Sequence, residues 1–341
     1  MRSGQRGEEM STVSVEQLRL VTKIAVLYHE EGVSQAEIAN RLNLSQARVS
    51  RYLKQASDEG IVRTTIVQPY GIYVGLEKAL EEKYKLNEVV VVENIEGVPI
   101  VSALGSAAAN YLETTVSSHE IVGLSSWSTT LLSTVEAMRS RPRKVVQEVI
   151  QLIGGIGNPE AQIQASRLVS HLAELTSAKP RYMAAPGLAA NKEVKKAFLS
   201  DPTVLETIEA WKRVSTLLVG VGTFPASPLL VASGNALDKA EQSELAKGGA
   251  VGEICLRFFD IDGKAMNPQV EDRMISIETS TMKAVPRRIG IAGGVQKLNA
   301  IRGAIQGGWI NVLITDSSVA RQLLEPPRQK RNSVVKDSMS S

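Results

Sequence analysis

Cysteine is almost absent from this chain, with Cys255 the only one among 341 residues. That excludes an internal disulfide framework and a cysteine-rich zinc site. The setting of Cys255, GEICLRFF, has the apolar continuity of a buried strand, so the thiol is expected as core filler. Histidine is nearly as scarce: His29, His119 and His171 are scattered without ligand spacing. Neither a metal site nor a serine–histidine–aspartate arrangement follows from them. No apolar run is long enough to cross a bilayer, and the opening residues MRSGQRGEEMSTVS lack the apolar core of a signal peptide. A cytoplasmic protein with no membrane partner is expected. An excess of one charge is missing too, since 39 Lys+Arg against 36 Asp+Glu leave a formal net charge of +3. Any affinity for nucleic acid must therefore be local rather than global. There is no Walker motif, and GGIG is not followed by the rest of a dinucleotide fingerprint, so no cofactor is expected.

What is present begins with residues 34 to 54, SQAEIANRLNLSQARVSRYLK. Ala36, Ile38, Ala39 and Leu42 recur at helical spacing, Asn43 and Leu44 turn the chain, and Ser45 is placed to cap a second helix. On the wheel of that helix, Val49, Tyr52, Leu53 and Ala56 fall on one side, with Ala47, Ser50, Arg51 and Lys54 opposite. The first face packs inward and the second can address the major groove. Arginine forks onto guanine, serine bonds a base edge or phosphate, alanine touches a thymine methyl, and lysine neutralises phosphate. Gln46, at the amino end of the helix, is another base reader, and Gln35 and Arg48 complete the DNA-facing candidates. Upstream, Val15 to Glu31 reads as a supporting helix with Leu18, Val21, Ile24, Ala25 and Tyr28 as its buried stripe, stopped near Gly32. Downstream, GIVRTTIVQP reads as an extended wing. A compact three-helix core without a DNA partner is the plainer alternative.

Residues 15–68 are thus expected to form a winged helix-turn-helix, with 69–75 a linker, 76–326 a larger domain, and 1–14 and 327–341 disordered tails. In the larger domain the runs EVVVVEN, IVGLSS, VVQEVIQLIGG, STLLVGVG, AVGEICLRFFD, RIGIAGG and INVLITD alternate with helical stretches. That rhythm implies an α/β fold with a largely parallel sheet, in which ligands bind beyond the carboxyl ends of the strands. Four strand exits carry glycines and small polar residues: GLSSWSTT, GGIGNP, GVGTF and AGG. Each alone can be no more than a turn, but together they favour a pocket for an anionic small molecule.

Ser128, Thr129 and Thr130 stand at a helix start, where they can grip a phosphate or simply cap the helix. Lys297 can pair with phosphate or a sugar oxygen, or stay a solvated surface lysine. Glu253 can accept from sugar hydroxyls, or pair with Arg257. Asp260 and Asp262 suit a hairpin turn, and Asp316 suits a cap of the last helix.

In this order, LYHEEGVSQAEIANRLNLSQARVSRYLKQASDEGIV, VVQEVIQLIGGIGNP, AAPG around Pro186, LVGVGTF, SGN at 233–235, GAVGEICLRFFDIDGK and IAGGVQKLNAIRGAIQGGWINVLITD make the chain resemble the SorC family of sugar-binding transcriptional regulators, over about residues 15 to 325. The resemblance implies an effector domain like that of phosphosugar isomerases, a phosphorylated sugar or polyol effector, and homotetramers on double-stranded operator DNA. It also implies a phosphate-gripping loop over Ser125 to Thr130, with Ser125, Ser126, Ser128, Thr129 and Thr130 as its effector-binding residues, an acidic contact at Glu253 and a lysine contact at Lys297. Gly155 and Gly157 join the candidate effector site as points of close backbone approach. The usual form of the early loop is G-x-S-W-G-x-T-L, whereas this chain has GLSSWSTTL, with an added serine and Ser128 in place of glycine. The function expected is a repressor of a sugar or polyol catabolic operon and not an enzyme. The alternative is a sugar-phosphate isomerase-like enzyme carrying a DNA-binding domain, with Glu253 offered as its base.

Overall fold

The computed structural model describes residues 15–62, 71–140, 146–155, 159–225, 237–266 and 269–326. The chain divides between Val67 and Gln68 into two compact units.

The first unit contains α1 (Val15–His29), α2 (Gln35–Arg41) and α3 (Gln46–Asp58). Both later helices are capped by serine: Ser34 accepts from the Glu37 amide and Ser45 from the Arg48 amide. Between them the chain reverses through Asn43, whose φ of 52° is one that asparagine tolerates better than most residues. Ile24, Val33, Ile38, Ala39, Val49 and Leu53 form the core, and Gly60 (φ 72°) follows the end of α3. The buried stripe of α1 is narrower than its periodicity suggests. Val21, Ile24 and Ala25 are buried, but Leu18 is 42% and Tyr28 38% exposed. The expected wing, from residue 63 on, lies outside the described residues.

The second unit contains α4 (Val74–Tyr84), β1 (Glu88–Val92), α5 (Ile100–Thr115), β2 (Ile121–Leu124), α6 (Thr129–Ala137), β3 (Glu148–Gln151), α7 (Pro159–Thr176), β4 (Lys179–Arg181), α8 (Lys192–Leu199), α9 (Pro202–Trp211), β5 (Thr216–Gly220), β6 (Gly222–Thr223), α10 (Lys239–Lys247), β7 (Gly252–Ile254), β8 (Arg257–Phe259), α11 (Thr279–Ala284), β9 (Arg287–Ile291), α12 (Leu298–Gln306), β10 (Val312–Asp316) and α13 (Ser317–Leu324). Val74 and Gly75, placed in the expected linker, are already helical.

Seven strands form one sheet in the order β1-β10-β9-β5-β2-β3-β4, and every pairing is parallel. Successive strand residues point to opposite faces, so Leu217 and Val219 pack in one layer with Leu80, Trp211 and Ile301. Leu218 packs in the other, with Leu104, Leu131 and Leu168. Burial on both faces explains why the strands read as continuous apolar runs.

A smaller antiparallel sheet, β6-β7-β8, corrects one expectation. GEICLRFF is a hairpin rather than one strand: Ile254 pairs with Arg257, leaving Cys255 (φ 54°) and Leu256 (φ 64°) as a two-residue turn. Such turns favour asparagine and glycine, so the sequence carried no sign of it. The Glu253 carboxylate holds the turn by accepting from the Leu256 amide at 2.9 Å.

Asp260 accepts from the amides of Asp262 and Lys264, as its hairpin reading requires. Asp316 caps α13 through the amides of Ser318 and Val319. Gly263 has a φ of 75°, and a Cβ there would lie 2.2 Å from both the Gly303 carbonyl and the Gly307 amide. Gly263→Ala is expected to destabilise the second unit by about 2 kcal/mol or more, read as a lower melting temperature.

Candidate functional site

In the first unit, α3 presents Gln46, Ala47, Arg48, Ser50, Arg51 and Lys54 to solvent, while Gln35 on α2 is half-buried. Val49, Leu53 and Ala56 turn inward, so the packing of α3 leaves its polar face free. Arg48 differs from the others. Its Nε donates to the Tyr52 hydroxyl at 3.1 Å, and its guanidinium lies 5.5 Å from the centre of that ring.

In the second unit, chain order and strand order together locate a crevice. From β2 the chain moves outward to β3 and β4, whereas from β5 it proceeds the other way, to β9 and β10. The neighbours β2 and β5 therefore bracket the point where strand order reverses, and loops leaving in opposite directions open a cleft there. A cavity of about 400 Å³ fills it, lined by Ser125–Thr129 after β2, Gly220–Thr223 after β5, Ile153 after β3, Glu253, Cys255 and Leu256 of the hairpin, and Lys297 after β9.

Two glycines let these loops meet. A Cβ on Gly220 would lie 2.6 Å from Ser128 Oγ, and one on Gly222 would lie 2.0 Å from Glu253 Oε1. Ser125 Oγ accepts from the Gly220 amide at 3.3 Å, tying the β2 and β5 exits together. Ser128 caps α6 by accepting from the Leu131 amide at 3.3 Å. Lys297 is placed from below: Asp316, fully buried, accepts from the Gly294 amide at 2.6 Å and so fixes the turn that carries the lysine.

Glu253 and Lys297 face the cavity in electrostatic tension. Burial pushes the Glu253 carboxyl up, against the lowering effect of the Leu256 amide and of Lys297. Burial pulls the Lys297 ammonium down, against the raising effect of Glu253. No ion pair within 4 Å joins them; Lys297 Nζ instead donates to the Val221 carbonyl at 2.9 Å. Arg257 is not the partner of Glu253 either, since it pairs with Glu271 at 3.1 Å and donates to the carbonyls of Ser276 and Ile277. Two other lining residues, Ser126 and Trp127, have their Oγ and Nε1 atoms buried without a hydrogen-bond partner.

Of the residues singled out by sequence, Ser125, Ser126, Ser128, Thr129, Glu253 and Lys297 line one cavity. Thr130 does not: it is buried in α6, and its carbonyl accepts from the Thr134 hydroxyl. Gly155 packs instead on the Gln151 side chain, where a Cβ would lie 2.4 Å from Nε2. Gly157 and the SGN segment lie outside the described residues. Ile153, Cys255 and Leu256 were not anticipated as lining residues, whereas Trp127 belongs to the loop expected there. Cys255 is 5% exposed, and burial pushes its thiol well up, away from reactive thiolate character. Among the described residues no cluster of histidine, cysteine and carboxylate groups could hold a metal, and no helix is long and apolar enough to cross a membrane.

Comparison with known proteins agrees with both units. The Sugar-bind family model, describing a sugar-binding domain, matches residues 69–325, and a winged helix-turn-helix DNA-binding model matches residues 24–63. The deoxyribonucleoside regulator of Bacillus subtilis is 35% identical over 311 residues, covering 91% of this chain and 98% of the relative. The sorbitol operon regulator of Klebsiella pneumoniae is 31% identical over 317 residues, covering 90% and 98%. The crystal structure of the full-length Klebsiella regulator superposes with a TM-score of 0.69 at 29% identity, over 90% of this chain and 99% of that one.

The burial of Glu253 has a measurable consequence. A carboxyl whose folded pKa is raised contributes stability that is fully present below its ordinary value of 4.5 and lost as pH rises through the folded value. Glu253→Gln keeps an acceptor for the Leu256 amide but carries no charge. Without ligand, it is expected to melt above the wild type at neutral pH, with the gap closing as pH falls toward 4.5; thermal melts across that range check it.

Proposed function

The chain belongs to the SorC family of sugar-binding transcriptional regulators, and from that membership we propose that a phosphorylated sugar or polyol, bound between β2 and β5, controls its affinity for operator DNA. It is a DNA-binding transcriptional regulator; the chemistry of its signal is the matter proposed. The observation that carries the proposal is the division of the cavity into donors and acceptors. The first turn of α6, the Ser128 and Thr129 hydroxyls and Lys297 offer N–H and O–H groups, while Glu253 offers a carboxylate acceptor. A phosphate needs donors and a helix amino end; hydroxyl groups need a carboxylate and a carbonyl. The cavity's volume falls in the range of small-molecule sites.

In this reading Ser50, Arg51 and Lys54 address the major groove, and a homotetramer presents recognition helices in pairs matched to operator half-sites. As a repressor, the protein would release DNA because its inducer binds the DNA-incompetent arrangement more tightly, since equal affinity for both would shift nothing. A role without turnover is supported by relatives named as regulators. It is supported too by Glu253 being the sole carboxylate among the described lining residues, with no second acid to complete proton transfer.

The test uses full-length protein, DNA flanking its own gene, and sorbitol, erythritol, 2-deoxyribose and their terminal monophosphates. At least one monophosphate is expected to raise the melting temperature and change DNA affinity; a panel that leaves both unmoved sinks the proposal. Arg51→Ala should weaken operator binding by about tenfold while the ligand-induced thermal shift survives. Lys297→Ala should do the opposite, keeping operator affinity and losing the response to ligand.

A further inference from the structure

Asp316 ends β10, with β9 between it and β5, and it is not one of the described residues lining the cavity. Its carboxylate is fully buried, and the two oxygens hold different parts of the chain. Oδ1 accepts from the Ser318 and Val319 amides, which is the cap of α13, and from Asn94 Nδ2 at 3.1 Å. Oδ2 accepts from the Gly294 amide at 2.6 Å, the shortest of the four bonds. A cap needs one acceptor oxygen, which asparagine or serine supplies as well. Only a carboxylate offers acceptors on both sides, so the cap alone does not account for an aspartate here.

The second oxygen serves the turn after β9. That turn is three residues long, Val295–Lys297, and is entered through Gly294 at φ 91°, which has no side chain to cap it. The Lys297 amide closes the turn on the Gly294 carbonyl at 2.9 Å. Gly294 is therefore bonded on both sides, by its amide to Asp316 and by its carbonyl to Lys297. From this turn Lys297 Nζ reaches the Val221 carbonyl just past β5. A lysine stem is long and flexible, so its ammonium keeps one place only where the backbone beneath it is held. Gly293 leaves room for the holding group, since a Cβ there would lie 2.6 Å from Asp316 Oδ2.

We infer that Asp316 is a positioning residue for effector binding: through Oδ2 and the Gly294 amide it sets where Lys297 stands in the cavity, while Oδ1 separately caps α13. This rests on the reading of the cavity as the effector site. It puts a determinant of ligand affinity inside the sheet, at a residue the ligand does not touch.

The experiment compares full-length wild type with Asp316→Asn, Asp316→Ala and Gly293→Ala. Calorimetry uses sorbitol 6-phosphate, erythritol 4-phosphate, 2-deoxyribose 5-phosphate and the three parent compounds; thermal melts and crystal structures of the unliganded proteins complete the set. Asparagine keeps an oxygen for the three donors on the cap side and turns its NH2 toward the Gly294 amide, so donor meets donor. The compound that binds wild type is expected to bind Asp316→Asn and Asp316→Ala about tenfold more weakly. Asp316→Asn should nevertheless melt closer to the wild type than Asp316→Ala does, because its cap survives. Gly293→Ala displaces Oδ2 without changing the carboxylate and should show the same loss of affinity; it carries the test if the Asp316 variants fail to fold. In the Asp316→Asn crystal structure Lys297 Nζ should have left the Val221 carbonyl. Wild-type affinity in Asp316→Asn, or weakened binding with Lys297 Nζ still on that carbonyl, overturns the inference while leaving the effector reading intact. If none of the six compounds binds the wild type, the effector reading fails, and the place of Lys297 in the Asp316→Asn structure alone decides the positioning role.

Discussion

The second unit depends on one topological constraint: β2 and β5 are hydrogen-bonded neighbours, yet the chain leaves them toward opposite edges of the sheet. Parallel strands all end on the same side, so their exits must share that side without colliding. Between β2 and β5 the exits diverge, and no crossover covers the gap. Everything placed there must come close without filling it. That is why Gly220 and Gly222 stand where side chains would strike Ser128 and Glu253. These glycines act through close approach rather than through unusual backbone angles, since neither has a positive φ.

The same enclosure sets the electrostatics. Removing water from a carboxylate and an ammonium disfavours both charged forms, and Glu253 and Lys297 are each shifted in that direction. They are not joined within an ion-pair distance, so neither fully compensates the other. Lys297 leans on the Val221 carbonyl and Glu253 on the Leu256 amide instead. Side chains kept ionisable, separated and partly desolvated are poised to gain from a ligand that carries both an anion and hydroxyl groups. In such a site, ligand affinity comes in part from relieving strain already present, a form of preorganisation.

Much of this was legible before the structure, and the limits follow physical lines. The helix-turn-helix could be read because its signals are local: the Ser34 and Ser45 caps, the Asn43 turn and a four-residue buried period all lie within one short stretch. The parallel sheet could be read because double-sided burial leaves continuous apolar runs. What the sequence could not show was how non-local contacts divide a motif. Thr130 sits in the same loop-helix segment as Thr129, but one helical step turns it into the core. Gly155 lies beyond the end of β3 and Gly220 ends β5, but β3 lies one strand away from the switch point. The Cys255–Leu256 turn was hidden because residues poorly suited to positive φ are held there by a local side-chain bond, from the Leu256 amide to the Glu253 carboxylate.

Ser128 brings these strands of reasoning together, because it stands where the usual loop pattern has glycine. A glycine there has no side chain to cap α6, and all the first-turn amides are then available to an anion. Ser128 instead spends its hydroxyl on the Leu131 amide and presses against Gly220, so one donor is consumed within the protein and the helix start is more rigid. Anion binding at the proposed site must then draw more on groups outside the helix. The chain offers such a group in Lys297, which lines the cavity. The substitution therefore redistributes the donors around the cavity rather than removing its capacity for an anion. It shifts recognition from helix amides, common to any phosphate, toward a side chain carried by the loop after β9.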